Sequence, residues 1–198
     1  MSQPSSQPDL RPASSAPVRV AARLSVLAAA SALAACGMMP DAPTFGLMNH
    51  GQPTSAIARL APTSGSTVEG EIRFSEHGGD TLVEINLRHL SPGSHGFHVH
   101  EKGDCSAADA LSAGGHFNPD GQPHGAPETA HHRGDLGNVT AGADGTVNVN
   151  FHVKNLALTG DDGIVGRALI VHAAPDDMAT QPSGNSGKRL ACGVIVRN

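Results

Sequence analysis

Several residue types are absent or scarce in this sequence. It has no tryptophan, no tyrosine and only 5 phenylalanines among 198 residues, so a hydrophobic core must be built mainly from Val, Leu, Ile and Ala. Basic residues form no cluster and the net charge is -5, which argues against nucleic acid as a partner. The apolar run at residues 24–36 is shorter than the about 20 residues that a membrane-spanning helix needs.

Glycine, proline and histidine are abundant instead. The 24 Gly and 14 Pro favour short strands joined by many turns over helices, and the 12 His are the most unusual feature of the composition. Alternating or strand-length apolar patterns between turn-forming residues predict strands at 56–60, 68–74, 83–88, 94–101, 147–153, 164–172 and 189–197. With a total of about eight short strands, the chain is predicted to be an all-β antiparallel sandwich or barrel.

The N-terminal region has the features of an export signal. Arg19 and Arg23 precede the apolar run, which ends in Leu33-Ala34-Ala35-Cys36 and resembles the lipobox of bacterial lipoproteins. Residues 1–35 are therefore predicted to be a signal peptide and Cys36 to receive a lipid. The alternative is a plain cleavable signal in which Cys36 is incidental. Residues 36–55 are predicted to be a flexible tether, which leaves 56–198 as the globular domain.

This signal also predicts where the protein acts and how its cysteines pair. We expect an exported, lipid-anchored protein of the periplasm, and Gly37 favours the outer membrane because an inner-membrane aspartate is missing after Cys36. With Cys36 assigned to the lipid, Cys105 and Cys192 remain. In an oxidising compartment these two are predicted to form one disulfide, the alternative being two free buried thiols.

Two histidines alternate with apolar residues in the predicted strand at 94–101. His98 and His100 would project from one face of the strand, while Phe97 and Val99 project from the other. Two imidazoles whose Cα atoms are roughly 6.5–7 Å apart can bind one transition-metal ion. Taken alone, the pair is equally compatible with a polar strand face that carries two histidines by chance.

Residues 102–135 interrupt the regular strand pattern. They show no sustained alternation, and a loop this long inside a compact domain is usually functional. Because the loop has little apolar content of its own, a disulfide and a metal ion are the natural devices for holding it in place. Its candidate metal ligands are His116, His124, His132 and Asp135.

The candidate ligands are too many for one tetrahedral site. Together with His98, His100 and His172, which lies at the end of another predicted strand, the loop residues would suit two sites. Three or four nitrogens without sulfur suit Cu(II), and three histidines with one aspartate suit a closed tetrahedral Zn²⁺ site. The spacings within the loop do not by themselves identify a metal.

Four motifs in chain order resemble copper/zinc superoxide dismutase. They are Gly96-Phe97-His98-Val99-His100-Glu101, Gly115-His116-Phe117-Asn118-Pro119, Gly134-Asp135-Leu136-Gly137-Asn138 and Arg189-Leu190-Ala191-Cys192-Gly193-Val194-Ile195. The resemblance covers about residues 56–198. It implies an eight-stranded antiparallel Greek-key sandwich or barrel with long metal-binding loops.

The same resemblance implies a role for each candidate ligand. His98, His100 and His172 would bind copper, and His116 would bridge copper and zinc as an imidazolate. His124, His132 and Asp135 would complete the zinc site. The implied activity is the dismutation of superoxide to dioxygen and hydrogen peroxide by a redox-cycling copper beside a structural zinc, as an antioxidant defence in the cell envelope.

Other residues receive supporting roles from the resemblance. Arg189 would sit beside copper and guide the superoxide anion, and Cys105 and Cys192 would form the intrasubunit disulfide. Asp176 would accept hydrogen bonds from one copper histidine and one zinc histidine, which would fix their tautomers. Relatives in bacteria occur as monomers or dimers, so a homodimer stays open.

The sequence departs from the family pattern in two places. The interval between His124 and the next zinc histidine is one residue shorter than in many relatives. We prefer His132 over the adjacent His131 because His132 keeps three residues to Asp135. The segment 176–188 is short and carries Lys188 as its cation, so a charge-steering loop would be reduced, with Lys102 as another candidate for steering.

Two alternative functions stay in view at this point. One is a copper-binding domain of the same fold without significant turnover, which a missing Arg189 or an incomplete copper set would favour. The other is a structural lipoprotein that uses zinc to order its loop, which the loss of His98, His100 or His172 would favour. All of these residues are present in the sequence.

Overall fold

A computed structural model describes residues 54–198 of the chain. The predicted signal peptide, the lipid attachment at Cys36 and most of the predicted tether lie outside these residues. Within them, no helix has the length and hydrophobicity needed to cross a membrane. The eight strands are β1 Ser55–Pro62, β2 Glu69–His77, β3 Asp80–Arg88, β4 Gly93–His100, β5 Asp135–Ala141, β6 Val147–Lys154, β7 Ala168–His172 and β8 Arg189–Arg197.

All strand pairs are antiparallel, and the strands follow the order β5-β4-β7-β8-β1-β2-β3-β6 in one sheet. The sheet curls into a nearly closed Greek-key barrel whose open seam lies between the two edge strands, β5 and β6. This confirms the predicted all-β fold. A single 3₁₀ turn, Leu111–Ala113, is the only helical element in the part of the chain that the structure describes.

Two strand predictions differ from the structure. The range 164–172 is too long, because β7 begins only at Ala168 and the residues before it form turns. Strand β5 is missing from the predicted ranges, because five of its seven residues are buried in no strict alternation and Gly137 interrupts its pairing with β4. Period-two patterns cannot identify a strand that is buried on both faces.

The barrel interior is filled by aliphatic side chains and a few phenylalanines. On β4, Phe97 and Val99 are fully buried in this core, and Leu169 and Val171 of β7 join them. Outward-facing residues of β7 and β8 support a second, smaller apolar cluster of Ala110, Ala113, Ala168, Ile170 and Cys192. The long loop between β4 and β5 therefore packs on the outer face of the barrel.

Candidate metal centre

The histidines of β4 lie on the outer barrel face, as the alternation predicts. His98 and His100 point away from the core that contains Phe97 and Val99, yet their side chains are almost fully buried. The long loop covers them, since Glu101 N–H donates to Gly115 O at 2.9 Å and the chain around His116 lies alongside β4. Burial of histidines on an outer face indicates a site enclosed between sheet and loop.

Four histidines form a first cluster at this place. One nitrogen from each of His98, His100, His116 and His172 lies within 4.8 Å of the others. These nitrogens are Nδ1 of His98 and Nε2 of the other three, and all are buried without a hydrogen-bond partner within residues 54–198. Buried polar atoms are almost always paired, so four unpaired nitrogens that converge on one point fit a metal ion.

A second cluster lies beside the first and is built largely from the loop. It consists of His116, His124, His132 and Asp135, whose ligand atoms also lie within 4.8 Å of one another. The Nδ1 atoms of His124 and His132 lie 3.0 and 3.3 Å from the Asp135 carboxylate without a hydrogen bond to it. Three imidazoles and one carboxylate in a closed arrangement fit a tetrahedral metal site.

His116 belongs to both clusters through opposite edges of its ring. Its Nδ1 lies 2.7 Å from Asp135 Oδ1 in the second cluster, while its Nε2 is one of the unpaired nitrogens of the first. Its ring centroid is 4.1 Å from that of His98 and 5.7 Å from that of His132. One imidazole can therefore contact two metal ions at once.

Two β-bulges place the functional residues opposite one another. On β5 the register shifts between Gly96 and His98 of β4, so that Asp135 becomes the cross-strand partner of His98. On β8 a similar shift places Arg189 opposite His172 of β7. Bulges change where a side chain points, and here each one brings a charged group beside a candidate ligand.

A closed ring of three backbone hydrogen bonds joins the segments that carry the ligands. Val99 N–H donates to Gly134 O at 2.9 Å, Gly134 N–H donates to Phe117 O at 2.9 Å, and Phe117 N–H donates to Val99 O at 2.8 Å. Each of the three residues is a direct chain neighbour of a cluster member. A Cβ atom on Gly134 would overlap the Val99 carbonyl oxygen, so glycine is required there by this close approach.

Asp176 connects the two clusters from outside. Its two carboxylate oxygens accept hydrogen bonds from Nε2 of His98 and Nε2 of His124, both at 2.8 Å. The side chain of Asn138 holds the Asp176 backbone, donating to its carbonyl at 2.9 Å and accepting from its N–H at 2.7 Å. Because the Asp176 carboxylate occupies Nε2 of His98 and His124, Nδ1 of both histidines is free to face a metal ion, as expected of an outer-shell carboxylate.

Burial determines the protonation of the first cluster. Desolvation lowers the pKa of His98 to about 4, against the opposing hydrogen bond to Asp176, and lowers the pKa of His172 to about 3. The pKa of His100 is lowered well below its ordinary value by the same cause. Burial alone would raise the pKa of Asp176, but the hydrogen bonds from His98 and His124 outweigh it and hold that pKa far below the usual range. His98, His100 and His172 are therefore neutral at pH 7 and available as ligands.

A cavity of about 920 Å³ opens onto the first cluster. His100, His116 and His172 line its floor, and Arg189 and Lys188 lie on its wall, whereas Lys102 is outside this lining. The Arg189 guanidinium donates two hydrogen bonds, to Ala110 O and Gly114 O, each at 2.6 Å. These bonds fix the direction of a permanent positive charge at the cavity, next to His172.

The structure confirms the disulfide between Cys105 and Cys192, which links the long loop to β8 with a Cα–Cα distance of 5.8 Å. It places His132 in the second cluster, while His131 is half-buried, lies outside both clusters and has its Nδ1 2.6 Å from Thr129 O. The backbone ring of Val99, Phe117 and Gly134 was not predicted from the sequence. The glycine directly before Asp135 was the one sequence signal that could have indicated it.

Comparison with known proteins agrees with this geometry. The family model described as "Copper/zinc superoxide dismutase (SODC)" matches residues 68–195 of the chain. A solved crystal structure, described as that of the clock protein EA4, is 40% identical in sequence with a TM-score of 0.67. The match covers 73% of this chain and 94% of that chain.

Proposed function

The chain belongs to the copper/zinc superoxide dismutase family, and from this premise we propose that it converts superoxide to dioxygen and hydrogen peroxide. The observation that supports the proposal most strongly is the His116 ring, which belongs to a four-nitrogen cluster at one edge and to a His₃Asp cluster at the other. His98, His100, His116 and His172 would hold copper, and His116, His124, His132 and Asp135 would hold zinc.

The donor sets fit these two metals. Four imidazole nitrogens without sulfur suit copper, and three imidazoles with one carboxylate suit a closed zinc site. Bound copper would supply one-electron oxidation and reduction, whereas zinc has no redox chemistry and would order the loop. In the overall reaction two superoxide anions and two protons give one dioxygen and one hydrogen peroxide, so the protein must both admit an anion and deliver protons.

His116 is the residue placed to deliver a proton. His116 lines the cavity where substrate would enter, and its Nδ1 is held on the side of Asp135 at 2.7 Å. The ring can therefore take up and release a proton at Nε2 without losing its position. The backbone ring through Phe117, its chain neighbour, holds the main chain next to the imidazole in place.

Arg189 is the residue placed to attract the anion. Its hydrogen bonds to Ala110 O and Gly114 O hold the guanidinium rigidly at the wall of the cavity. Burial lowers the pKa of Arg189, yet an arginine stays protonated at neutral pH. Because the chain as a whole is acidic, this local charge and that of Lys188 must provide the attraction for superoxide.

The proposed place of action is the cell envelope, with Cys36 carrying a lipid. The support is the run of residues 24–36 with its lipobox-like end, together with the disulfide, which suits an oxidising compartment. Mass spectrometry of protein purified from membranes, compared with a Cys36→Ser variant, tests this. We expect a lipid mass on the wild-type N-terminus and release of the variant from the membrane. An unmodified, membrane-free wild type would contradict the proposal.

The activity is tested by metal analysis together with a superoxide-removal assay. The purified protein is expected to hold one copper and one zinc and to remove superoxide. His98→Ala should lose copper and activity, and Arg189→Ala should keep both metals but react more slowly. His131→Ala is the matched control, since this histidine lies outside both clusters.

Two outcomes would overturn the proposed activity. Stoichiometric zinc without copper would support the alternative of a structural zinc protein. Stoichiometric copper without superoxide removal would support a copper-binding domain of the same fold. Full activity in His98→Ala would exclude the assigned copper cluster.

A further inference from the structure

The side chain of Gln181 holds the backbone of a candidate zinc ligand. Gln181 Oε1 accepts a hydrogen bond from His124 N–H at 2.8 Å, and Gln181 Nε2 donates one to His124 O at 2.9 Å. Both backbone polar groups of His124 are thus paired with one side-chain amide. The need for one donor and one acceptor fixes which way the amide is oriented.

His124 has particular need of such a partner. It is a buried residue in an irregular part of the loop, where neither a strand nor a helix would pair its backbone groups. Its ring is held at Nε2 by Asp176, and its Nδ1 points at Asp135 in the second cluster. With the ring held but the backbone free, small loop movements would turn Nδ1 away from the metal position.

We propose that Gln181 is a positioning residue for the second cluster: by clamping the His124 backbone, it slows release of the metal ion bound there. Gln181 touches neither ligand atoms nor substrate, so it acts through His124. The inference rests on the proposed function only in that the second cluster holds zinc. The segment 176–188 is then part of the zinc site, because Asp176 hydrogen-bonds the ring of His124 and Gln181 hydrogen-bonds its backbone.

The same type of clamp occurs elsewhere in the long loop and provides a control. Asn118 accepts from Gln122 N–H and donates to Gln122 O, both at 2.9 Å. This clamp also joins a side-chain amide to both backbone groups of one loop residue, but Gln122 is not a cluster member. Comparing Asn118 with Gln181 therefore separates general loosening of the loop from displacement of a ligand.

Gln181 can be replaced without opening the core. The residue is largely exposed, and only its terminal amide reaches the loop. Gln181→Met keeps the length of the side chain but removes both hydrogen bonds to His124, together with the 3.2 Å bond from Gln181 Nε2 to Ala179 O. Gln181→Glu keeps an acceptor for His124 N–H and loses the donor to His124 O, so an intermediate effect is expected.

The test measures zinc release from the fully metal-loaded protein into a chromophoric chelator. Loss of an outer-shell partner typically changes metal affinity by about 10–100-fold. We expect Gln181→Met to release zinc at least about tenfold faster than wild type, Gln181→Glu to fall between them, and Asn118→Ala to stay within about twofold of wild type. The order of the three variants reports the number of hydrogen bonds lost to His124.

A second readout reports ligand geometry directly. Cobalt(II) in the second cluster gives visible absorption bands that depend on the arrangement of its ligands. Gln181→Met should shift or broaden these bands, and Asn118→Ala should leave them unchanged. An unaltered release rate in Gln181→Met, or equal acceleration in Asn118→Ala, would overturn the inference while leaving the proposed function intact. A wild type that binds no zinc would overturn both.

Discussion

The two metal clusters are neighbours that share His116, but they are built in different ways. In the first cluster, His98, His100 and His172 come from adjacent strands, β4 and β7, whose hydrogen-bonded register fixes their backbones. In the second, His124 and His132 come from the irregular part of the long loop, and Asp135 begins β5. The geometry of the first cluster is therefore set by the sheet, and that of the second depends on the contacts that hold the loop in place.

This difference explains how polar contacts are distributed around the site. The loop is held by the disulfide and by side-chain amides that bind its backbone. A strand requires none of these, because its neighbours already pair its N–H and C=O groups. We therefore expect the second cluster to be more sensitive than the first to changes in the loop and its attachments.

The largest effect is expected where the two clusters meet. His116→Ala removes one ligand from each cluster, so affinity for both copper and zinc should fall by at least about 100-fold. His100→Ala should weaken copper binding alone, and His132→Ala zinc binding alone. Measuring both metals in all three purified variants checks this. Normal zinc content in His116→Ala would show that the two clusters do not share this residue.

Loss of the disulfide should weaken the second cluster more than the first. The bond closes a loop with a sequence separation of 87 residues, which in the chain-entropy model corresponds to about 4–5 kcal/mol of unfolding free energy. The Cys105→Ser/Cys192→Ser variant should lose this stability in denaturant titrations and lose zinc more readily than copper. It should also react more slowly with superoxide, since Ala110 and Gly114 then hold Arg189 less firmly. Equal weakening of both metal sites would contradict the comparison.

The metal-free protein should become less stable as the pH falls, mainly through the first cluster. Burial lowers the pKa of His98 from 6.5 to about 4, so the unfolded state binds the proton first as pH decreases. The contribution of His98 to the unfolding free energy is therefore fully present above pH 6.5. It decreases towards pH 4, by up to roughly 3 kcal/mol. Denaturant titrations of the metal-free protein between these pH values measure the slope.

Matched variants assign this pH dependence to a residue. His98→Gln should reduce the slope because it removes the buried titrating group, and His131→Gln is the matched control because His131 lies outside both clusters. A slope that is the same in wild type and His98→Gln would show that other groups carry it.

The smallest of these effects concerns the backbone ring that joins both clusters. Gly134→Ala would bring a Cβ into the Val99 carbonyl oxygen, whereas Gly115→Ala in the same loop would meet no atom within 4 Å. Overpacking of this kind typically costs about 1–3 kcal/mol. Thermal unfolding should show this loss for Gly134→Ala, with both metals bound more weakly, and no such loss for Gly115→Ala. Weaker metal binding at only one cluster would mean that the ring of backbone hydrogen bonds does not connect the two clusters.

Sequence reasoning worked best where local periodicity determines the outcome. Alternation around Phe97 and Val99 correctly placed His98 and His100 on the outer face of a strand, and the same reasoning located most other strands. It failed for β5, whose buried pattern and bulge have no period of two. The clamp of Gln181 on His124 had no sequence signal at all, since it joins residues 57 positions apart in two irregular segments.

By itself, the sequence determined the strand-rich fold, the outward pair of histidines on β4 and a long loop that needs external support. Local composition and alternation are sufficient for these features, because each depends on neighbouring residues. The motif resemblance already predicted that His116 belongs to two metal sites. Only the tertiary structure decided that bulges set Asp135 against His98 and Arg189 against His172, and that amide clamps hold the loop. The physical reason is that strand register and loop packing bring together groups that are distant in the chain.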